Sequence, residues 1–231
     1  KSRLPMFPNV PTLSEVFAGG KQISWSYFMQ RSVVGAPGMS EKAQAYYTDL
    51  FAKVYASKDW QIKAYSTAAP SFIGKYATII GGNGKVIRKG SNDWTCQSGN
   101  PRPFPKNGWK NVHDAMPTCH DAQAMKWMMA YSNGTKPKLD KDGWMWMLHG
   151  DVGEDNLVPM VMNKKDSTPE AWIESGPHLM LMPKNPSSLD NYSADFTTGA
   201  PYVMFPGTDY AHVMIPTEGY YHYQEESEPK K

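Results

Sequence analysis

Three short segments share a pattern that a folded chain can satisfy in few ways: Pro177-His178-Leu179-Met180-Leu181-Met182, Met145-Trp146-Met147-Leu148-His149 and His212-Val213-Met214. In an extended strand successive side chains point to opposite faces, so each segment puts its imidazole and thioether groups on one face and Trp, Leu or Val on the other. The pattern predicts three strands with a common His/Met face. If the first segment pairs antiparallel with the other two, His149 falls opposite His178, Met147 opposite Met180 and Met145 opposite Met182. On the other flank His149 faces His212 and Met147 faces Met214. Three imidazoles then gather at one end of the face, with sulfurs beside them.

Two readings of that face stand side by side. Thioether with imidazole is the donor set that suits Cu(I), and imidazole alone suits Zn or Cu(II). This makes His178, His212, His149, Met180, Met214 and Met147 the candidate copper ligands. Met also fills irregular cores because it is flexible and polarisable, and a strand His is commonly held by hydrogen bonds. On that reading the face is structural and holds no metal.

Composition narrows the rest. The chain has 231 residues, room for one large or two small domains, and its 15 Met, 8 Trp and 13% aromatic content leave ample material for a core. Its 24 Lys and Arg balance 22 Asp and Glu, so no long-range field favours nucleic acid or an anionic membrane. No apolar run approaches the roughly 18 residues a membrane helix requires. The N-terminus lacks the charged-then-apolar layout of a signal peptide, and it begins at Lys1, as expected if a leader or larger N-terminal region lies outside it. Cys96 and Cys119 are the only cysteines. A single pair in a Gly, Pro and Asn-rich stretch points to a disulfide and an oxidising compartment, periplasmic or secreted. The alternatives are two unrelated buried thiols, or a metal site of Cys119 with His120 and His113.

Along the chain, Val10-Pro11-Thr12-Leu13-Ser14-Glu15 reads as a turn into a short helix capped by Thr12. Gln22 to Phe28 and Ser32 to Ala36 read as strands. Ser40 caps a clear helix on which Ala43, Tyr46 or Tyr47, Leu50, Phe51, Val54 and Tyr55 recur at helical spacing, while Lys42, Asp49 and Lys53 face away. Tyr76–Ile80 and Lys85–Arg88 form a hairpin through Gly81-Gly82-Asn83-Gly84, residues that tolerate positive φ. Asp121 to Tyr131 is a helix whose Ala124, Met125, Met128 and Met129 make an apolar face. The carboxylates of Gly150 to Asn156 sit on a turn that reads as solvated rather than as a Ca²⁺ loop. Pro159 to Glu170 reads as irregular and Pro183 to Thr198 as polar loop. Pro201–Phe205 and Tyr210–Ile215 form the last hairpin, and the charged tail from Tyr221 is expected to be disordered.

Val10-Pro11-Thr12-Leu13, an aromatic strand around Trp25, Val34-Gly35-Ala36-Pro37-Gly38-Met39 before the helix and a closing Asp59-Trp60 together resemble the C-terminal part of the substrate-binding proteins of tripartite tricarboxylate transporters. These are two-lobed periplasmic receptors that close around a carboxylate. The resemblance covers about the first quarter of the chain, implies periplasmic ancestry and transfers no binding residue. It fits either the tail of a longer receptor or a dimerising arm joined to another domain.

The remainder resembles a group of secreted bacterial domains of unassigned function. The shared features are the opening strand pair, Gly90-Ser91-Asn92 before Trp94-Thr95-Cys96, Cys119 before a Trp and Met-rich helix, and the segments Gly176-Pro177-His178-Leu179-Met180 and Tyr210-Ala211-His212-Val213-Met214. The match runs from about Ala69 to Pro216. It implies that His178, Met180, His212 and Met214 are standard equipment of the domain. His149 departs from it, since Gln is frequent there in the group, so the resemblance implies a site of two His with Met.

The expected fold is α+β: a mainly antiparallel β domain with one packed helix, over 69–218, preceded by a short α/β segment over 1–68 that ends in an amphipathic helix and followed by a polar tail over 219–231. No Gly-x-Ser-x-Gly elbow, His-Glu-x-x-His, phosphate-cradling loop or dinucleotide fingerprint is present. The expected function is therefore a periplasmic or secreted binding module for copper or a small ligand. The alternatives are a metal-free accessory domain of a tricarboxylate-type receptor, forming homo-oligomers through 1–68, and an uncharacterised metalloenzyme.

Overall fold

The structure is a computed structural model that describes residues 39–229. The expected Thr12 helix and the strands at Gln22 to Phe28 and Ser32 to Ala36 lie outside the described residues. The chain divides between Gln44 and Ala45, so residues 45–68, grouped with the receptor-like segment on sequence grounds, go with the β-rich unit.

Helix α1 spans Glu41–Ala56. Its start is capped by the Ser40 hydroxyl, which accepts from Ala43 N at 3.3 Å. The apolar spacing correctly predicts a helix, yet Tyr46 and Val54 remain 55% and 43% exposed. Helix α2, Lys58–Ser66, starts at Ser57, whose hydroxyl accepts from Trp60 N, and it buries Ala64 and Tyr65. A short turn of helix, α3, follows at Ser71–Gly74.

The centre of the unit is an eight-stranded sheet in the order β2-β1-β3-β4-β5-β8-β10-β9. Its strands are β1 Thr78–Ile80, β2 Val86–Arg88, β3 Thr95–Ser98, β4 Pro117–His120, β5 Gly143–Met147, β8 His178–Met182, β9 Tyr202–Met204 and β10 His212–Pro216. All neighbours are antiparallel except β1 and β3. Two residues each, Glu154–Asp155 (β6) and Trp172–Ile173 (β7), form a separate small ladder that the sequence reading missed. The α+β expectation therefore holds, as do the glycine-turned hairpin β1-β2 and the final hairpin β9-β10.

The sheet is covered on both faces. Against one face, α2 packs Ala64 and Tyr65 onto Ile79 and the disulfide Cys96–Cys119, whose cysteines lie directly opposite each other on β3 and β4. The disulfide settles the pairing and removes Cys119 as a metal ligand with His120 and His113. The other face carries helix α5, Ala122–Ser132, which follows α4 (Val112–Ala115) and β4. Asp121 caps α5 by accepting from Gln123 N at 2.9 Å and Ala124 N at 2.8 Å, and its second oxygen accepts from Trp144 N of β5. Helix and strand approach so closely here that a Cβ on Gly143 would lie 2.5 Å from Ala124 N. The buried stripe of α5 is Ala124, Trp127 and partly Met128 and Tyr131; Met129, expected inside, is 57% exposed. A stripe at i, i+3, i+4 and i+7 from Ala124 leaves position 129 on the outer side.

Two further expectations change. The turn after β5 is not solvated: Asp151, Asp155 and Asn156 are buried, and Asp155 Oδ1 accepts from both Leu157 N and Val158 N. The tail is docked as far as Ser227, because the buried Gln224 side chain accepts from Glu174 N and donates to Trp172 O and Ser227 Oγ.

Candidate functional site

The register of the sheet builds one continuous rung across six strands: Thr95, His120, Met145, Met180, Met214 and Tyr202. Directly opposed side chains on one face stand about 4.5–5.5 Å apart at Cβ, so Met145, Met180 and Met214 form a thioether ladder at the middle of the sheet. All three are buried beneath Trp127 and neighbouring aromatic groups. The common His/Met face inferred from alternation is real, and its parity is correct on β5, β8 and β10.

The cross-strand partners differ from expectation by two residues. Met147, not His149, lies opposite His178, and Met145, not Met147, lies opposite Met180. A slip of two keeps every side chain on its face and exchanges only the neighbours. His178 is opposite Pro216, which leaves His212 four residues away, about 13 Å along the strands. β5 and β10 are not neighbours, because β8 lies between them. The predicted ligands thus separate into Met147, His178, Met180 and Met214, which the register brings together, and His149 and His212, which it does not.

His149 has another task. The hydroxyl of Thr67 gives its proton to Ala64 O at 2.8 Å, so the 2.8 Å contact with His149 Nε2 is a donation from the imidazole. The His149 carbonyl accepts from His113 Nδ1 at 2.8 Å. His149 therefore ties the end of β5 to α2. Among the described residues, no group of three or more His, Cys, Asp or Glu side chains is arranged to hold a metal ion.

His178 and His212 are held alike. Each directs Nδ1 at the carbonyl two residues upstream, Gly176 O at 2.7 Å and Tyr210 O at 2.9 Å. A carbonyl only accepts, so Nδ1 carries the proton in both rings and Nε2 carries a lone pair. His178 Nε2 is buried and meets no hydrogen-bond partner. Burial pushes both rings down to about 4, and electrostatic coupling to His212 acts in the same direction on His178. Both are neutral at physiological pH. His120, on the same face, has neither ring nitrogen partnered and is likewise pushed down to about 4 by burial. Sequence reasoning read His120 only beside Cys119; alternation along β4 was the signal that puts it across the sheet from the disulfide.

A second group of polar residues lies beyond the end of β5. Tyr202 and Tyr220 share a hydrogen bond through their hydroxyls, and Tyr220 also donates to Ser175 Oγ at 3.1 Å. Asp151 Oδ1 accepts from Gly153 N and Ser175 N. Burial pushes the Asp151 carboxyl up to about 6. Glu154 accepts from the Tyr131 hydroxyl, which in turn accepts from Met160 N at 2.9 Å. Burial, reinforced by the charges of Asp151 and Asp155, pushes Glu154 up to about 8.

Glu154 and Tyr131 open onto a cleft of about 70 Å³ that is also lined by Arg102, Met116, Met128 and Met162. Met116 and Met160 both adopt positive φ, +46° and +68°, a conformation uncommon outside glycine that needs support from its surroundings. None of these residues was singled out from sequence as a site. A larger cavity of about 230 Å³ between α2 and the β1-β2 hairpin carries less chemistry. Its Gln61 amide is already bonded to Gly82 N and Ala56 O.

Comparison with known proteins yields no counterpart: no protein-family profile, no curated protein and no solved structure matches this chain.

Proposed function

We propose that the β-rich unit is the binding module of an exported protein and that its buried His/Met face takes up copper(I), with His178 Nε2, Met147 and Met180 as donors. One observation carries this reading: a bare imidazole lone pair sealed in the core beside thioethers. An unpartnered buried acceptor costs about 1–3 kcal/mol, and a soft cation is the partner that suits both imidazole and thioether. The Nδ1 bond to Gly176 O is also the outer support that a metal-binding His ordinarily has, fixing tautomer and ring orientation. Copper would supply charge at this point of an otherwise neutral face, and the protein would supply a dry, preset donor set. The disulfide supports export, since such bonds persist in oxidising compartments. The likeness of 69–216 to secreted domains supports the same compartment.

A second reading draws on the packing. Met145, Met147, Met180 and Met214 are each at most 6% exposed, as a purely structural face of an accessory domain would be, joined to a receptor-like segment that forms homo-oligomers through 1–68. An anaerobic Cu(I) competition titration against a chromogenic chelator separates the two. The native chain should take up one equivalent, His178→Ala none, and His149→Ala as much as the native chain, because His149 Nε2 is committed to Thr67. No uptake by the native chain would leave the structural reading standing.

A further inference from the structure

The cleft at Glu154 shares no residue with the His/Met donor set and has its own chemistry. Its lining includes the carboxyl of Glu154, which accepts from the Tyr131 hydroxyl. Its rim holds Arg102, exposed, with one N–H given to Met162 O at 3.2 Å and no carboxylate paired with it among the described residues. Met116, Met128 and Met162 line the same cavity. An acid and an exposed cation lining one small cavity together with apolar residues match a ligand that carries both charges close together.

We propose that this cleft binds a short zwitterion of the α-amino-acid class, with the carboxylate on the Arg102 guanidinium, the ammonium on Glu154 and a small side chain against Met116, Met128 and Met162. Arg suits the first role because its planar fork can donate two parallel hydrogen bonds to a carboxylate. Glu154 suits the second because its second oxygen is left for a cationic donor while Tyr131 holds the first. Size limits the class. At roughly 10–15 Å³ for each water-sized position, the cavity accommodates about five or six heavy atoms, the size of glycine or alanine. Longer side chains would have to leave through the mouth, past the half-exposed Met160 on the adjoining loop.

The groups facing Glu154 are Tyr131 from α5, Asp151 from the preceding turn and Asp155 beside it on β6. Both carboxylates favour the protonated form of Glu154. An arriving ammonium opposes them, so binding near pH 7 should expel up to one proton to the buffer.

The test is isothermal titration of the full chain with L-alanine at pH 7, repeated in two buffers of different ionisation enthalpy, with methylamine and acetate as half-ligands. L-alanine should bind and release a proton, and each half-ligand should bind at least about tenfold more weakly. Arg102→Ala, on an exposed side chain, and Glu154→Gln, which keeps the Tyr131 acceptor, should each weaken L-alanine at least about tenfold while leaving the urea midpoint nearly unchanged at pH 5. Absence of binding up to ~10 mM L-alanine or glycine overturns the proposal. So does methylamine binding as tightly as alanine, or alanine binding with no proton released. Copper uptake is unaffected by either substitution if the two sites are separate, so failure here leaves the His178 reading untouched.

Discussion

Met147 on β5 stands directly opposite His178 on β8. The pairing sets a thioether next to the one imidazole nitrogen of this face that is buried with its lone pair bare while its partner nitrogen is anchored. Chemistry and packing can be separated at this pair, because Leu and Met are close in volume and such exchanges in a core usually cost under about 1.5 kcal/mol. Met147→Leu and Met180→Leu should therefore leave the urea midpoint nearly unchanged while weakening Cu(I) at least about tenfold in the competition titration. Equal affinity in both variants would remove sulfur from the donor set.

The ladder itself predicts a stability effect that does not depend on metal. Met180 is 6% exposed and is flanked by Met145 and Met214 on the adjacent strands. Truncation to Ala removes most of a buried side chain and leaves a cavity, so Met180→Ala should cost about 2–5 kcal/mol in denaturant unfolding.

Acid should unfold the unit through its histidines. His120, His178 and His212 are all held near 4 against an ordinary value of 6.5. The unfolded chain therefore takes up protons that the native rings refuse. Stability is fully present above pH 6.5 and is lost as pH falls through 6.5 toward 4. With three such rings the slope reaches at most about 4 kcal/mol per pH unit. Replacing His212 by Gln should flatten the dependence between pH 4 and 6.5 in urea titrations, whereas an unchanged slope would mean that this ring titrates normally.

Glu154 acts at the other end of the scale. Its folded carboxyl is raised to about 8 from 4.5, so the native state holds a proton that the unfolded chain has released. Its contribution is intact below pH 4.5 and is lost as pH rises through 8. Asp151, raised to about 6, adds a smaller loss from 3.8 upward. Glu154→Gln, neutral at all pH and still an acceptor for Tyr131, should make the unit more stable than the native chain at pH 9 and similar at pH 5. A variant equally destabilised at both would point to packing instead of charge.

The face was legible in the sequence and the partners across it were not, for a physical reason. Alternation fixes which side of a strand a residue occupies, so His178, Met180 and Met214 could be assigned to one face from parity alone. Register depends on what the strands do at their ends. Gly150 turns the chain at the end of β5 with positive φ, and Asp151 N bonds Ser175 O, and these contacts join residues too far apart in sequence to be read from a local pattern. The same holds for the cleft, whose Arg102, Tyr131 and Glu154 come from three separate loops and elements. The disulfide was accessible because only two cysteines exist to pair. The docked tail was not, since its charged composition suggests solvent while a few side chains anchor it: Tyr221 on Phe196 O, Tyr223 stacked on His113, and Gln224.

That anchoring gives the last prediction. Gln224 is 6% exposed, and its amide accepts from Glu174 N and donates to Trp172 O, so one side chain satisfies two backbone groups of the segment that leads into β8. Removing it strands a part-buried donor, Glu174 N, and a buried acceptor, Trp172 O, the latter worth about 1–3 kcal/mol when left unpaired. Upstream of it, Tyr220 is 2% exposed and closes the Tyr202 and Ser175 network beside His178. Gln224→Ala should therefore destabilise the unit by about 2 kcal/mol or more, and ending the chain after Ser227 should cost little by comparison. Amide hydrogen exchange provides the second readout: Glu174 N should lose protection in Gln224→Ala while the β3-β4 strands, clamped by the disulfide, keep theirs. An exchange pattern unchanged at Glu174 would mean that the tail does not hold this segment in solution.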